Sequence, residues 1–496
     1  MIKYLIFNKK SSFIYFFIVS TQIPFLEFIK NNLHQIDFIY EKSFLFLNFI
    51  TLFFLITFTF LLRIILKKKN INFKDSFLII SSIYLLLFQH NSLKFFLLNF
   101  FKNLGIDIFS LKAEISLLLI LLISTFIFFS ILNKSLFIKR FLVIFFSLYF
   151  IAILLEIFFL TKSNDYTNRI KLGNEIIFND QLNKKKENIF FFILDGMQPI
   201  EDFENFYNID QKNFLKFVNS KNFKYLYGTE NFYNTTRENL SAFFHMDKIL
   251  DKDKKIKYKY LYPSVFKPNV RTKLIWNLEN LGYEIKWIGN IYAYCASVNL
   301  KYCLEKKNTL FNPELYISFL KKSPFVDAIM KIGIIAGYDL NRALWYENKD
   351  GIGRLQRYLK NNISDLKNRQ NFYFVHHLSP HWPYITERNC EYTDKFPDKE
   401  NLEGYKNAYL CNLKKIQEMI NYLNIHDPDA TVVFQADHNW GMSTLSEEKY
   451  GNRKKIFNLI KLDKNCKNDV NVNLNNVNTL ILILSCLTGN DIKFVD

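Results

Sequence analysis

The chain has 496 residues, of which 50% are hydrophobic and 18% aromatic, and its formal net charge is +18. So much apolar surface cannot stay solvated, which excludes an intrinsically disordered protein. No internal period of about 20–50 residues supports a repeat protein. What remains is a membrane protein, or a membrane anchor joined to a globular domain. The lysines are spread along the chain, so the charge does not indicate a nucleic-acid partner.

Apolar segments crowd the first third of the chain and predict a membrane anchor of about five transmembrane helices over residues 1–161. Each helix needs about 20 apolar residues to cross a hydrocarbon core of ~30 Å. The second, fourth and fifth segments are clear, whereas the first is short and contains Pro24, and polar residues interrupt the third. The predicted spans are 13–29, 43–66, 76–96, 115–132 and 141–160.

The charges of the loops predict which side of the membrane each segment faces. Basic residues precede the first span and follow the second and the fourth, as Lys67, Lys68, Lys139 and Arg140 illustrate. Basic loops stay in the cytoplasm. The N-terminus is therefore predicted on the cytoplasmic side of the membrane, and five crossings place the chain after residue 160 outside. The first segment lacks a small-residue cleavage site, which favours an uncleaved anchor over a secretory signal.

All six cysteines lie after residue 294, as expected for a domain in an oxidising compartment. Several pairings are possible, and the pairing of neighbours closes the shortest loops. We therefore expect the disulfides Cys295–Cys303, Cys390–Cys411 and Cys466–Cys486. The alternative is a set of buried thiols, and Cys486, in an apolar run, fits that alternative best.

After a polar, lysine-rich linker at 162–187, residues 188–496 are long enough for one large α/β domain. Strands that alternate with helices predict a mostly parallel sheet covered on both faces. In such sheets chemistry gathers at the carboxyl ends of the strands. The predicted strands are 189–194, 283–288, 372–376 and 431–436, and the predicted helices are 272–281 and 405–423.

Chemically useful side chains follow two of these strands. Asp195 comes directly after the first strand, and Asp437 and His438 follow the last. Carboxylate oxygen and imidazole nitrogen are ligands of Zn²⁺ and Mn²⁺, so these residues predict a site for one divalent cation, Zn or Mn. Thr235 and Thr236 lie at a predicted helix start. A hydroxyl bound to the metal there would become a nucleophile, and the helix N-terminus would favour a phosphate.

Four segments taken together resemble the alkaline-phosphatase/sulfatase superfamily: FFILDGMQP, NTTRENLSAFF, HHLSPHWPY and TVVFQADHNWGMS. The resemblance is closer to its membrane-anchored sulfatase-like branch of lipoteichoic-acid synthases, phosphoethanolamine transferases and phosphoglycerol transferases. It implies an alkaline-phosphatase-like α/β/α sandwich in the periplasm, carried by an anchor in a bacterial cytoplasmic (inner) membrane. It also implies transfer of a phospho-head-group from a membrane phospholipid to an envelope glycan or lipid, through a phospho-threonine intermediate.

The resemblance also assigns roles to residues of this chain. Asp195, Asp437 and His438 match the metal ligands, and the nucleophile falls at Thr235 or Thr236. Thr236 is preferred, both as nucleophile and as a further metal ligand. The reason is that a small polar residue and then a leucine follow it three and four positions on, as is usual in the family.

Three further residues are candidates for substrate binding. His381 matches a histidine that contacts the substrate head group, and Arg237, beside the nucleophile, is placed to hold a phosphate oxygen. His377 is the third candidate. The preceding residue, His376, lies within an apolar strand and is expected to be a core histidine.

Departures from the family pattern keep other functions open. The transferases usually carry Glu where this chain has Asp195, and Gly where it has Asn439. The same site with water as acceptor would be a phosphodiesterase or phosphatase, and a degenerate site would leave a non-catalytic envelope protein. No C/S-x-P-x-R motif occurs in the sequence, so sulfate-ester hydrolysis is not expected. A transporter is not expected either, because five spans without paired repeats lack the usual architecture.

Overall fold

The structure, a computed structural model, places the described residues in two compact units. One unit comprises residues 1–165 with 310–340, and the other comprises residues 166–309 with 341–496. The described parts are 177–181, 187–288, 303–304, 349–393, 401–440, 452–463, 466 and 473–496, with gaps at 259, 263, 267–269, 368–369 and 492, and in the first third 22–30, 144, 148–156 and short pieces of 48–64.

In the first unit, helical segments at 22–30 and 148–156 pack together. Ile23 and Ile153 are buried in one apolar cluster, and Lys30 Nζ forms an ion pair with Glu156 Oε2 at 3.0 Å. The pair joins the ends of the first and fifth predicted spans, which the loop charges place on the same side of the membrane. None of the helices in the described portion is long and apolar enough to cross a membrane. Most of the five predicted spans lie outside the described residues.

The second unit is built on a six-stranded sheet. Its strands are β1 (Ile189–Leu194), β2 (Lys224–Tyr225), β3 (Glu284–Ile288), β4 (Asn371–His377), β5 (Thr431–Ala436) and β6 (Asn458–Lys461), in the spatial order β2-β6-β5-β1-β4-β3. The four strands β5, β1, β4 and β3 run parallel, whereas β6 is antiparallel to β5 and β2 is antiparallel to β6. The predicted parallel sheet is therefore confirmed at its centre, and its β2 edge is antiparallel.

Helices cover both faces of this sheet. Those of the described part are α1 (Ile200–Tyr207), α2 (Lys212–Ser220), α3 (Thr236–His245), α4 (Lys273–Asn280), α5 (Gly351–Asn361), α6 (Ser364–Lys367), α7 (Leu402–His426) and α8 (Asn476–Thr488). Side chains alternate along a strand, so Phe191 and Ile193 of β1 face α3, α4 and α8. Phe190 and Phe192 face α1, α2, α5 and α7. The result is the predicted three-layer α/β/α arrangement.

The central strands are long apolar runs because they are buried on both faces. All six residues of β1, IFFFIL, are buried. Phe190 stacks on Tyr373 of β4 with ring centroids 4.5 Å apart, and Phe192 stacks on Phe434 of β5 at the same distance. Each buried aromatic contributes on the order of 1.5–3 kcal/mol. The register pairs Leu194 with the last residues of both β4 and β5, so the three strands end at one level.

Disulfides join loops of this unit to its helices. Cys390 pairs with Cys411, and Cys466 pairs with Cys486, with Cα atoms 5.0 and 5.2 Å apart, which confirms two of the three predicted pairs. Cys303 is also disulfide-bonded, while its predicted partner lies outside the described residues. Cys486 is therefore not a buried thiol, although the apolar run around it suggested one.

Candidate active site

The two aspartates of the predicted site meet where neighbouring parallel strands end. Asp195 follows β1 and Asp437 follows β5, and the level ends of these strands bring them to the same edge of the sheet. Gly196 adopts φ +71°, a left-handed conformation that glycine adopts without strain. Its N–H donates to Asp437 Oδ1 at 3.1 Å, and the N–H of His438 donates to the same oxygen at 2.9 Å. The chain turn after β1 therefore fixes the orientation of the second aspartate.

Five side chains form two overlapping groups with the spacing of metal ligands. One group is Asp195, His381 and His438, and the other is Asp195, His376 and Asp437. In each group the ligand atoms all lie within 4.8 Å of one another. Asp195 Oδ2 lies 3.4 Å from His376 Nε2, and Asp195 Oδ1 lies 3.6 Å from His438 Nε2. Three of the four predicted ligands, Asp195, Asp437 and His438, thus lie close together, with Asp195 shared between the groups.

The protonation of two of these histidines suits metal binding. His438 Nδ1 lies 2.8 Å from the carbonyl oxygen of Asn439, and His381 Nδ1 lies 2.7 Å from that of Trp382. A carbonyl oxygen only accepts hydrogen bonds, so each Nδ1 carries the proton and each Nε2 keeps a lone pair. Metal-binding histidines commonly donate their second ring nitrogen to such a partner.

The carboxylates also fit a cation. Asp195 Oδ1 and Asp437 Oδ2 are buried and accept no hydrogen bond from the part of the chain that the structure describes. A buried carboxylate oxygen without a donor is costly unless a positive charge balances it. Burial alone would raise the pKa of Asp195, but His381, His376 and His438 outweigh it and hold that pKa well below its usual range. Asp195 is therefore ionised, and the residues present fit a divalent cation.

His376 belongs to this site, contrary to the expectation of a core histidine. It is buried, but its Nε2 faces Asp195 and its Nδ1 lies 2.8 Å from the hydroxyl of Tyr262. Side chains alternate along β4, so His377 points to the other face of the sheet, where its Nε2 lies 3.0 Å from Asn412 Oδ1. Burial lowers the pKa of His377 to about 4. His377 was expected to bind substrate, and the structure does not bring it to Asp195.

The two threonines occupy different positions at the start of α3. Thr235 is the N-cap, and its hydroxyl accepts a hydrogen bond from the N–H of Glu238 at 3.3 Å. Thr236 is the first residue of the helix and is half-buried. Arg237 is exposed in the same turn. The capping hydrogen bond therefore occupies the hydroxyl of Thr235, whereas Thr236 is the first residue within the helix.

Three asparagines donate hydrogen bonds to the end of β5, and one of them, Asn239, belongs to this helix. Asn239 Nδ2 donates to the carbonyl of Asp437 at 2.8 Å, and Asn231 Nδ2 donates to the same carbonyl at 2.6 Å. Asn476, at the start of α8, donates to the carbonyl of Ala436 at 3.2 Å. The first turn of α3, with Thr236, is thereby tied to the metal-ligand residues. Asn231 and Asn476 carried no signal in a sequence so rich in asparagine.

His381 is positioned by the turn that follows β4. Its backbone N–H donates to the carbonyl of Asp195 at 3.0 Å, and its side chain is the partly exposed member of its group. Burial lowers the pKa of His381, which favours the neutral imidazole. The predicted substrate-contacting histidine is therefore beside the predicted metal ligands.

Asn439 and Trp440, which directly follow His438, connect the site to its surroundings. Asn439 Nδ2 donates to Asp202 Oδ2 of α1 at 3.1 Å. Trp440 stacks on Tyr405 of α7 with ring centroids 4.1 Å apart. The Tyr405 hydroxyl in turn donates to the carbonyl of Gly196 at 3.0 Å. Trp440 thus contacts the turn after β1 indirectly, through Tyr405.

Comparison with known proteins gives matches among solved structures alone. No family model matches the chain, and no curated protein matches it. The chain is similar to the C-terminal periplasmic domain of EcEptC from Escherichia coli in complex with Zn (14% identity, 65% of this chain and 87% of that chain, TM-score 0.40). It is also similar to the integral membrane protein lipooligosaccharide phosphoethanolamine transferase A (EptA) from Neisseria meningitidis (10% identity, 72% and 69%, TM-score 0.38). A third match is the lipoteichoic acid synthase LtaP from Listeria monocytogenes (14% identity, 65% and 80%, TM-score 0.36).

Proposed function

We propose that this chain is a membrane-anchored, metal-dependent enzyme that transfers a phospho-head-group of the phosphoethanolamine or phosphoglycerol type. The donor is a membrane phospholipid and the acceptor is an envelope glycan or lipid. The observation that supports this most directly is the pair of ligand groups around Asp195, beside a helix that begins with Thr236. That combination offers a cation, a nucleophile and a phosphate-binding helix terminus in one place.

The ligands of the cation, Zn or Mn, would be Asp195, Asp437, His438 and Thr236. Bound there, it would neutralise the charge of a phosphate and acidify the threonine hydroxyl. The buried oxygens of Asp195 and Asp437 that accept no hydrogen bond from described residues support this assignment.

Thr236 carries the transferred group in this proposal. Its Oγ1 attacks the phosphorus of the donor, the phosphorus–oxygen bond to the lipid breaks, and the lipid alcohol leaves with a proton. The resulting phospho-threonine is then attacked by an acceptor hydroxyl, and Thr236 regains its proton as the product leaves. Backbone N–H groups at the start of a helix have no partner within it. The Glu238 N–H donates to Thr235 Oγ1, so the Thr236 N–H is the group that can donate a hydrogen bond to a phosphate oxygen.

Two other side chains act on the substrate. His381 is partly exposed and its Nδ1–H donates to the Trp382 carbonyl, so its Nε2 can accept a hydrogen bond from the head group or join the ligands of the cation. Arg237 is exposed in the first turn of α3 and can pair with a phosphate oxygen. An anchor suits this chemistry, because a donor that lives in the bilayer is then confined to the same surface as the enzyme.

The deciding experiment compares two alanine variants in the purified full-length protein with a labelled phospholipid donor. Thr236→Ala should abolish both transfer and the phosphorylated peptide seen by mass spectrometry, while the fold is retained. Thr235→Ala removes the helix cap, which costs about 1 kcal/mol of stability, but should still form phospho-threonine. If both variants keep activity, the mechanism is wrong.

The products of the same assay separate the competing functions. Label on an added glycan or lipid acceptor indicates a transferase. Free phospho-head-group as the sole product indicates a phosphodiesterase, the alternative left open by the Asp195–Gly196 sequence. Absence of bound metal in the purified protein, together with absence of turnover, indicates a non-catalytic envelope protein.

A further inference from the structure

Lys349 is a buried lysine whose amine ends inside the protein. It is 2% exposed, although lysine is almost never fully buried unless it is paired. Its Nζ donates hydrogen bonds to the backbone carbonyl of His381 and, at 2.6 Å, to that of Pro383. Burial lowers the pKa of Lys349 to about 7, against the opposing effect of the Asp195 charge. Lys349 can donate to both carbonyls whether its amine is charged or neutral, because a neutral amine still has two N–H groups.

The two carbonyls belong to the turn 379–383, Ser-Pro-His-Trp-Pro, which follows β4. Its two prolines have no backbone N–H, so the turn has few donors of its own with which to fix its path. Buried carbonyls need a donor, and Lys349 provides one for the residue on each side of Trp382. The same turn carries His381.

The carbonyl between these two, that of Trp382, accepts the hydrogen bond from His381 Nδ1 at 2.7 Å. Lys349 therefore holds the peptide groups that flank the carbonyl responsible for the orientation of the imidazole. That hydrogen bond keeps the proton on Nδ1, so Nε2 is the nitrogen that can bind a cation held by Asp195 and His438. The path therefore runs from the lysine through the turn to the His381 imidazole, which could hold a cation together with Asp195 and His438.

Lys349 reaches the turn from a fixed position. Its carbonyl accepts from the N–H of Leu378, directly after β4, at 3.1 Å. The next residue, Asp350, caps α5 by accepting from the N–H of Gly353 at 3.0 Å. Asp350 also forms an ion pair with Lys415 of α7 at 2.7 Å. The backbone of Lys349 is thus held by the sheet on one side and by two helices on the other.

We propose that Lys349 is a positioning residue that aims His381 at the metal site through the turn 379–383. The inference rests on the proposed function, because it concerns the same site. The competing explanation is a purely structural one, in which Lys349 satisfies two buried carbonyls and has no specific effect on His381.

The test is a double-mutant cycle between Lys349 and His381 in the full-length protein in detergent. Lys349→Met keeps the length of the apolar stem and removes the donors, and Lys360→Met, on the exposed side of α5, is the matched control. The first measurement is Zn²⁺ affinity by competition with a chromophoric chelator, without substrate. The second is the rate of transfer from a labelled phospholipid.

We expect Lys349→Met to weaken Zn²⁺ binding by about 10–100-fold, as the loss of a supporting contact behind a ligand does. His381→Ala should also weaken it, and the double variant should match His381→Ala within about twofold, because both changes remove the same contribution. Lys360→Met should bind Zn²⁺ like the wild type. If Lys349→Met does not fold, Lys349→Gln, which keeps an amide donor on a shorter side chain, enters the same cycle.

Three results would overturn the inference: wild-type Zn²⁺ affinity in Lys349→Met, wild-type Zn²⁺ affinity in His381→Ala, or a double variant whose loss is the product of the two single losses. Multiplicative losses would indicate the purely structural role. A failure of the proposed function would give a different pattern in the two measurements. In that case Zn²⁺ binding follows the expected cycle, but no phospholipid donor is turned over by the wild type.

Discussion

Asn239 joins the helix of the proposed nucleophile to the end of β5, and replacing it tests whether that junction holds the site together. Its Nδ2 donates to the carbonyls of Asp437 at 2.8 Å and Tyr233 at 2.7 Å, and its Oδ1 accepts from the N–H of Tyr233 at 3.0 Å. The side chain is 2% exposed, so water cannot replace these partners. Asn239→Leu has a similar shape and removes all three hydrogen bonds.

The size of the effect follows from these contacts. A typical intramolecular hydrogen bond contributes about 0.5–1.5 kcal/mol, and a buried group left without a partner costs more. Asn231 still donates to the Asp437 carbonyl at 2.6 Å, which limits the loss at that point. We therefore expect Asn239→Leu to lower the free energy of unfolding by about 2–3 kcal/mol. It should also slow phospho-threonine formation, because the first turn of α3, which begins with Thr236, is no longer tied by Asn239 to the Asp437 carbonyl.

Urea unfolding of the full-length protein in detergent, followed by tryptophan fluorescence, measures the first effect. The matched control is Asn234→Ala, an exposed asparagine in the same segment, whose effect should stay within about 0.5 kcal/mol. A loss below about 1 kcal/mol for Asn239→Leu, with an unchanged rate of phospho-threonine formation, would refute the reasoning.

Two further predictions concern stability. Burial lowers the pKa of His245 from 6.5 to about 4, so as the pH falls the unfolded chain takes up this proton before the folded protein does. Stability should therefore drop between pH 6.5 and 4, by about 3 kcal/mol from this residue. His245→Phe should flatten that part of the unfolding curve, whereas the exposed His426→Phe should not. Replacing both Cys390 and Cys411 by alanine opens a disulfide loop with a sequence separation of 21 and should lower the free energy of unfolding by about 3 kcal/mol. A change below about 1 kcal/mol in the same urea titration would contradict that estimate.

The sequence predicts the centre of the sheet better than its edge. The ends of β1 and β5 match the predicted strands because strands buried on both faces are continuous apolar runs. β2 and β6 were not predicted, since a strand of two residues and one of four leave no such run. The predicted helix at 405–423 is longer, as α7, because Asn401 caps it by accepting from the N–H of Gly404 at 2.7 Å.

The same distinction applies to the site. Asp195, Asp437 and His438 were recognisable because a polar residue at the end of an apolar run is a local signal. His376 was not, because its role depends on which face of β4 it occupies and on what lies opposite. Lys349 acts on a turn about thirty residues further along the chain, and no periodicity or spacing connects the two. Roles set by tertiary contacts of this kind require the structure.

Asp195 has one methylene fewer than the Glu that the resembling transferases carry, and a shorter side chain needs closer partners. Its Oδ1 nevertheless lies 3.6 Å from His438 Nε2. The next residue, Gly196, adopts φ +71°, where a residue with a side chain would be strained, and its N–H donates to Asp437 Oδ1 at 3.1 Å. The shorter carboxylate therefore still reaches the other candidate ligands, so the departure at position 195 does not by itself indicate a degenerate site.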